Sequence, residues 1–527
     1  MYYEYQEPIK KVKLYRALAL NRGEKEKVLG IKILVDNDRI HQYLERCVLT
    51  NKASFLNQYV RVAIKDAYKR LIAPSIEREL RADLSERAED NAIHIFSENL
   101  RSLLLQPPMK GKMVLGVDPA YRTGCKLAVV NRMGKMEAID VIYPHQKFPG
   151  EKIPKERRNN AGKTVAGIIS KYNIEVIAIG NGTASRETEQ FISNVIRFIK
   201  STIDKDIYFI IVNEAGASVY SASKLAAKEF PDLVVEERSA VSIARRLQDP
   251  LSELVKIDPK SIGVGQYQHD VAQKKLSESL DFVVETAVNQ VGVNVNTASE
   301  PLLQYVSGLN KSMASNIVKY REANGPFTNR KQLLKVPKLG AKAYEQAVGF
   351  LRILDGENPF DRTGIHPESY ELAENLMKEL KLTEDDFGNI ILKLKFKDLN
   401  LNNLAKKLNS GLNTVEDILD DFITPLRDPR DKAEAPVLRS DVLKLDDLKL
   451  GMELRGTVRN VVDFGAFVDV GVKDDGLVHI SQLSKGYVKH PLDVVSVGGI
   501  VTVWVKEVDF KRHRLQLTMI KENAPHS

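Results

Sequence analysis

Cysteine is nearly absent. Cys47 and Cys125 are the only two in 527 residues, too few for a disulfide framework and without the paired spacing of a metal-ligand set. No apolar run approaches the ~20 residues that a membrane helix needs, and the opening Met-Tyr-Tyr-Glu is not a secretory signal. These absences exclude a disulfide-stapled secreted scaffold and a helical membrane protein. They predict a soluble, intracellular chain with no membrane partner; no cofactor and no metal are expected. What is present is ordinary for globular protein, 43% hydrophobic and 28% charged residues, in a length that implies several domains. A net charge of +8 and a pI near 9.0 suggest a polyanionic partner without separating DNA from RNA.

Against that even background, the chain from Glu300 to Arg352 nearly repeats itself at an offset of 30 residues. Leu303 and Leu333, Val306 and Val336, Leu309 and Leu339, and Val318 and Val348 coincide, so two copies of one small unit are expected. Each copy reads as a short helix, a hairpin and a second helix. Gly308 with Asn310 in the first hairpin, and Gly340 in the second, are candidates for positive φ and close backbone approach. Free N–H groups at the start of each second helix, beside Lys311 and Ser312 or Lys338 and Lys342, would attract phosphate. The stretch holds nine Lys or Arg against three Glu, most of the whole chain's surplus. The pattern resembles tandem helix-hairpin-helix motifs, which grip the DNA backbone without reading its sequence. Asn310 and Lys338 each stand where that motif usually has a second glycine. A compact helical module whose lysines merely face solvent is the alternative.

Residues 1–110 read as a helical domain, with apolar residues at helical spacing through Val60, Ile64, Ala67 and Leu71, and again through Ala92, Ile95 and Phe96. Residues 111–250 change period. Strands are expected over Met113–Asp118, Cys125–Val130 and Met136–Ile142, then helices and strands alternate: a helix over 163–172, a strand over Val176–Gly180, a helix over 185–199, a strand over Tyr208–Val212, and helices over 218–228 and 240–247. Three hairpin-linked strands followed by alternating elements form the ribonuclease H-like arrangement. Enzymes of that fold hold two metal ions on carboxylates at strand ends. Asp118 stands on the first strand, but the nearest acids beyond the fourth are Glu187 and Glu214, and the 240–247 helix carries none. A non-catalytic domain is therefore expected, with Asp118, Glu187 and Glu214 as vestigial candidates. The alternative is a metal-dependent nuclease or junction resolvase using those three. Gly162-Lys-Thr164 lacks the first glycine of a phosphate loop, and Gly263-Val-Gly265 lacks the third glycine of a dinucleotide site.

Residues 251–299 read as a helical connector containing His269-Asp270, and 357–424 as a second helical domain. Three prolines among charges in 425–447 suggest an extended linker and a mobile last domain. That domain, 448–521, reads as five short strands, with alternation in Val501, Val503 and Val505 and with Trp504 as barrel packing. Phe464-Gly-Ala-Phe467 and the run Gly476 to Ser481 resemble the RNA-binding OB-fold module first described in a small-subunit ribosomal protein. On such a barrel Phe464, Phe467 and His479 offer rings on which bases stack, and Lys511, Arg512 and Arg514 meet phosphates.

The fold class expected is thus multidomain α+β: a mostly helical body with an α/β ribonuclease H-like (YqgF-like) domain, tandem helix-hairpin-helix motifs over 300–356 and a C-terminal all-β OB-fold. The strings Ala17 to Glu24, Gly116 to Gly124, Gly180 to Arg186, Asp361 to Pro367 and Phe464 to Phe467 together resemble the Tex family, bacterial transcription accessory proteins. The resemblance implies a cytoplasmic binder of RNA or DNA, with the transcription machinery as a protein partner. Family members usually carry a further helical segment upstream, so the chain is expected to be the later portion of a longer protein.

Overall fold

The computed structural model describes residues 2, 4–49, 54–148, 151–200, 206–397, 399–425, 428–432, 438, 448–472, 475–509 and 514–521. They form two compact units, Met1–Ser97 with Val264–Ser279, and Glu98–Gly263 with Leu280–Ser527.

The first unit is built on the helices Leu14–Lys25, Asn37–Val48, Asn57–Ala67 and the start of Ala73–Leu104. A π turn over Tyr68–Ile72 joins the last two. Its wider winding rotates the apolar stripe, so Ile64 and Tyr68 are buried while Leu71 is 65% exposed. Ala92, Ile95 and Phe96 are buried as their spacing requires. Residues 251–299, expected as one connector, divide between the units. Val264–Ser279 packs on the long helix, with the Ser97 and Ser279 hydroxyls 2.8 Å apart and the Ala272 amide donating to Glu89 at 2.9 Å. Asp270 faces Arg22 at 3.7 Å and Lys25 at 3.8 Å, a structural ion pair.

In the second unit the strands β1 (Val114–Asp118), β2 (Cys125–Val130), β3 (Met136–Ile142), β4 (Val176–Gly180) and β5 (Tyr208–Val212) make one sheet in the order β3-β2-β1-β4-β5. β1 pairs antiparallel with β2 and parallel with β4. Both faces are covered, which is why β2 is buried along its whole length. Leu115, Val117, Leu127, Ile177 and Ile179 pack with Val165, Ile169, Phe191 and Ile192 of the Lys155–Tyr172 and Ser185–Lys200 helices. Val114, Ala128, Val176 and Ala178 pack with Ala240, Val241 and Ala244 of the Val235–Gln248 helix. That last helix begins five residues before the expected Ala240. Its start is closed by the Glu237 carboxylate, which accepts the Val234 amide at 3.0 Å, rather than by a Ser, Thr or Asp N-cap that the sequence would advertise. The expected 218–228 helix is two, Ala217–Ser221 and Lys224–Glu229, because Ser223 caps the second by accepting the Ala226 amide.

The repeat is bracketed by a two-residue parallel ladder between β6 (Val293–Asn294) and β7 (Leu351–Arg352). Residues 360–422 follow as a helical layer around Phe360, Leu376, Leu419 and Phe422. The start of the supposed linker is not extended. Pro429–Lys432 forms a 3-10 turn in which Arg430, 2% exposed, donates to Asp428 and, at 2.7 Å, to Asp249.

The closing domain is a closed barrel of β8 (Glu453–Val462), β9 (Gly465–Asp469), β10 (Gly476–His479), β11 (Ile500–Asp509) and β12 (Arg514–Thr518), in the order β10-β12-β11-β8-β9. Val503 and Val505 point inward as the alternation requires. Trp504, expected as barrel packing, faces the other way, its indole N–H donating to Glu453 at 3.2 Å. The barrel is also held against the ribonuclease H-like sheet rather than standing free. Arg186 reaches Asp469 at 3.6 Å and Asp475 at 3.8 Å, and Arg459 donates to the Ile211 carbonyl at 3.5 Å.

Candidate nucleic-acid interface

Each hairpin of the repeat turns on one left-handed residue, and the two residues lie 30 positions apart: Gly308 at φ +86° and Lys338 at φ +68°. Of the positions for which the sequence suggests positive φ, Gly308 adopts it, whereas Asn310 and Gly340 do not. Those residues have φ of −122° and −78° and are N-caps, so their part is to start the second helices. Asn310 does so with its side chain, which accepts the Met313 amide at 3.0 Å. Glycine has no Cβ to oppose a left-handed backbone, whereas lysine at that position is strained by about 1–2 kcal/mol.

The hairpins pack reciprocally. A Cβ on Gly308 would lie 2.7 Å from the Gln346 Cβ in the second copy, while Asn316 of the first donates to the Pro337 carbonyl at 2.7 Å. Lys338 Nζ then reaches the Ser312 hydroxyl at 3.3 Å. Gly308, Asn310, Lys311, Ser312, Lys338, Gly340 and Lys342 are all exposed, so the two helix starts form one solvent-facing surface. The first amides of each helix lie outside its internal ladder and the dipole is positive there, which suits an anion.

Not all the counted charge serves that surface. Arg330, 1% exposed, donates through its guanidinium to the carbonyls of Leu351 at 2.8 Å, Ile365 at 2.7 Å and Thr363 at 2.7 Å, and to the Tyr370 hydroxyl at 2.7 Å. Asp361 accepts its amide at 2.9 Å. The Asp361–Pro367 string thus wraps a buried arginine, a role that counting charges cannot reveal.

On the barrel, the rings of Phe464 and Phe467 stand edge to face at 6.3 Å. Both are half-buried, and His479, paired across the strands with Gly465, is exposed with its Nδ1 2.9 Å from the Ser481 hydroxyl. Three rings therefore border one end of β9 and β10, as the sequence suggests. Arg514 is exposed on β12. Lys511 and Arg512 lie outside the described residues.

The vestigial acids divide. Asp118 and Glu214 lie close enough to feel each other's charge. Burial pushes the Asp118 carboxyl above its ordinary range, with the Ser239 hydrogen bond and Lys126 opposing and Glu236 adding to the rise. Burial likewise raises Glu214, helped by Asp118 and opposed by the Gly182 amide. Its carboxylate lies against Gly180 and Gly182, where a Cβ would overlap it, and Oε2 is buried without a hydrogen-bond partner among the described residues. Glu187 joins neither: it is exposed in the first turn of its helix and bonds the Tyr121 hydroxyl. Glu236 and Ser239 were missed because the Val235–Gln248 helix starts earlier than its apolar pattern does. Among the described residues, no three His, Cys, Asp or Glu are grouped as metal ligands would be.

Comparison with known proteins assigns families along the chain. Residues 1–96 match the Tex central region-like family, 112–248 the Tex protein YqgF-like domain, 288–352 the helix-hairpin-helix motif, 358–430 the HHH domain and 447–520 the S1 RNA binding domain. Residues 357–424, read from sequence only as helical, thus fall in a further domain of the hairpin class. The chain is 62% identical to the uncharacterized protein YdcI of Bacillus subtilis, over 99% of this chain and 71% of that protein. It is 46% identical to protein YhgF of Escherichia coli, over 99% and 67%. It is 44% identical to the transcriptional accessory protein Tex of Neisseria gonorrhoeae, over 99% and 68%.

Proposed function

Since the chain belongs to the Tex family, we propose that it is a transcription accessory protein that holds nucleic acid on two surfaces, the paired hairpins and the barrel rings, without breaking a bond. One observation carries this reading: two hairpins with the same left-handed turn present adjoining helix starts to solvent, joined by Lys338 and Ser312. Backbone amides and lysines recognise phosphates whatever the base, so this surface grips without reading sequence. The rings of Phe464, Phe467 and His479 supply stacking, which every base accepts. RNA or DNA is the ligand, the transcription machinery the protein partner, and the cytoplasm the place of action. No described helix is long and apolar enough to cross a membrane.

The test is a titration of single- and double-stranded DNA and RNA at two salt concentrations. Phe467→Ala should weaken single-strand binding about tenfold, the scale of one lost stack. Lys338→Glu with Lys342→Glu should instead weaken duplex binding and reduce its salt slope by about 2. Wild-type binding by both variants would end this reading.

A second reading, a metal-dependent nuclease, draws on the shared charge of Asp118 and Glu214. Incubation with labelled junctions and RNA in Mg²⁺ or Mn²⁺ separates the two. Cleavage lost on Asp118→Asn would favour the enzyme, and binding without cleavage the scaffold.

A further inference from the structure

We propose that the loop Ser484 to Lys489 of the barrel, through Tyr487, is a further stacking site for single-stranded nucleic acid, next along the strand from the Phe464, Phe467 and His479 face. The proposal rests on that face being a nucleic-acid surface.

Tyr487 is 95% exposed, more than any other large hydrophobic residue among those described. A single exposed ring is common on protein surfaces and means little alone. Here the segment that carries it, Ile480 to His490, is tied at both ends to the turn bearing Phe464. The Ile480 amide donates to the Phe464 carbonyl at 2.9 Å, and His490 Nε2 lies 3.3 Å from Asp463 Oδ1. Tyr487 is three residues from that second tie, so the chain keeps it within about 10 Å of the His490 backbone. That is inside the several-nucleotide footprint of one OB-fold.

Charge agrees with position. Lys485 and Lys489 are exposed on either side, and the segment Ser-Lys-Gly-Tyr-Val-Lys holds no acid. A Cβ at Gly486 would meet nothing within 4 Å, so no other element packs on the loop at that position, and the 95% exposure of Tyr487 leaves its ring open. A ring between two lysines, with room for a base, is the combination that single-strand binders use: stacking for the base, ammonium groups for the flanking phosphates.

The full chain is titrated with labelled oligouridylate and oligothymidylate of four and twelve nucleotides, as wild type and as Tyr487→Ala, Tyr487→Phe and Phe467→Ala. Melting temperatures confirm that each variant is folded. Tyr487→Ala should weaken the twelve-mer by about fivefold or more and the four-mer by less than twofold, with Tyr487→Phe close to wild type because the ring remains. If Phe467→Ala weakens both lengths and Tyr487→Ala neither, the loop has no such part and the barrel face stands. Equal loss on both lengths with Tyr487→Ala would place the ring within the Phe464, Phe467 and His479 face and also overturn the proposal. If neither substitution changes binding, the face itself fails.

Discussion

Arg186 Nη2 stands 3.6 Å from Asp469 Oδ1, joining the start of the Ser185–Lys200 helix to the barrel strand β9. The arginine also pairs with Glu189 on its own helix at 2.9 Å and reaches Asp475 at 3.8 Å, and Asp469 pairs with Arg459 at 2.6 Å, so five charges share one partly buried junction. Arg186→Glu would set three carboxylates against a fourth. The barrel should leave its dock, seen as a larger maximum dimension in small-angle scattering at unchanged helix content, with a stability loss on the order of 3 kcal/mol. Unchanged scattering would mean that the junction does not hold the barrel.

The left-handed positions of the two hairpins make opposite predictions. Gly308→Ala adds a Cβ at φ +86°, 2.7 Å from Gln346 Cβ, and should destabilise by about 1–3 kcal/mol. Lys338→Gly relieves a strained backbone at φ +68° and should stabilise by about 1 kcal/mol, while weakening duplex binding through the lost ammonium. Urea denaturation and salt titrations read the two effects separately.

Arg330 cannot be replaced by another cation. Its guanidinium satisfies three carbonyls and a hydroxyl in a fixed fork, and lysine can meet only part of that set. Arg330→Lys should cost about 3–5 kcal/mol in urea unfolding, with loss of the Asp361–Pro367 wrap.

His145 is 6% exposed, and its ring lies 2.8 Å from the Thr188 hydroxyl. Burial lowers its pKa from 6.5 to about 4. The unfolded chain therefore takes up a proton between pH 6.5 and about 4 that the folded chain refuses, and stability falls across that window by up to about 3 kcal/mol. Below about pH 4 both states are protonated and the slope ends. His145→Gln should flatten the pH dependence in that range. A parallel slope in the variant would show that another group is responsible.

The sheet was legible because buried strands read as short apolar runs, and the barrel because β11 alternates through Val503, Trp504 and Val505. Helix ends were harder. The Val235–Gln248 helix opens on Glu236 and Glu237 without an apolar stripe, so the acids near Asp118 lay outside the expected helix. The repeat showed where the hairpins are and Gly308 as a left-handed position in the first, but not Lys338 in the second, since lysine adopts there a conformation that its side chain disfavours. Net charge hid the burial of Arg330 for the same reason: a one-dimensional count carries no depth.

The short ladder between β6 and β7 has a mechanical meaning. The Val293 amide donates to the Phe350 carbonyl at 2.8 Å, and the Val295 amide to the Arg352 carbonyl at 3.0 Å, so the repeat leaves the body where it enters. A pull on the flanking chain loads those parallel strands in shear and passes from one to the other. The hairpins lie on a side branch of that force path, so tension along the chain itself would cross between the two strands and leave the hairpin geometry at rest.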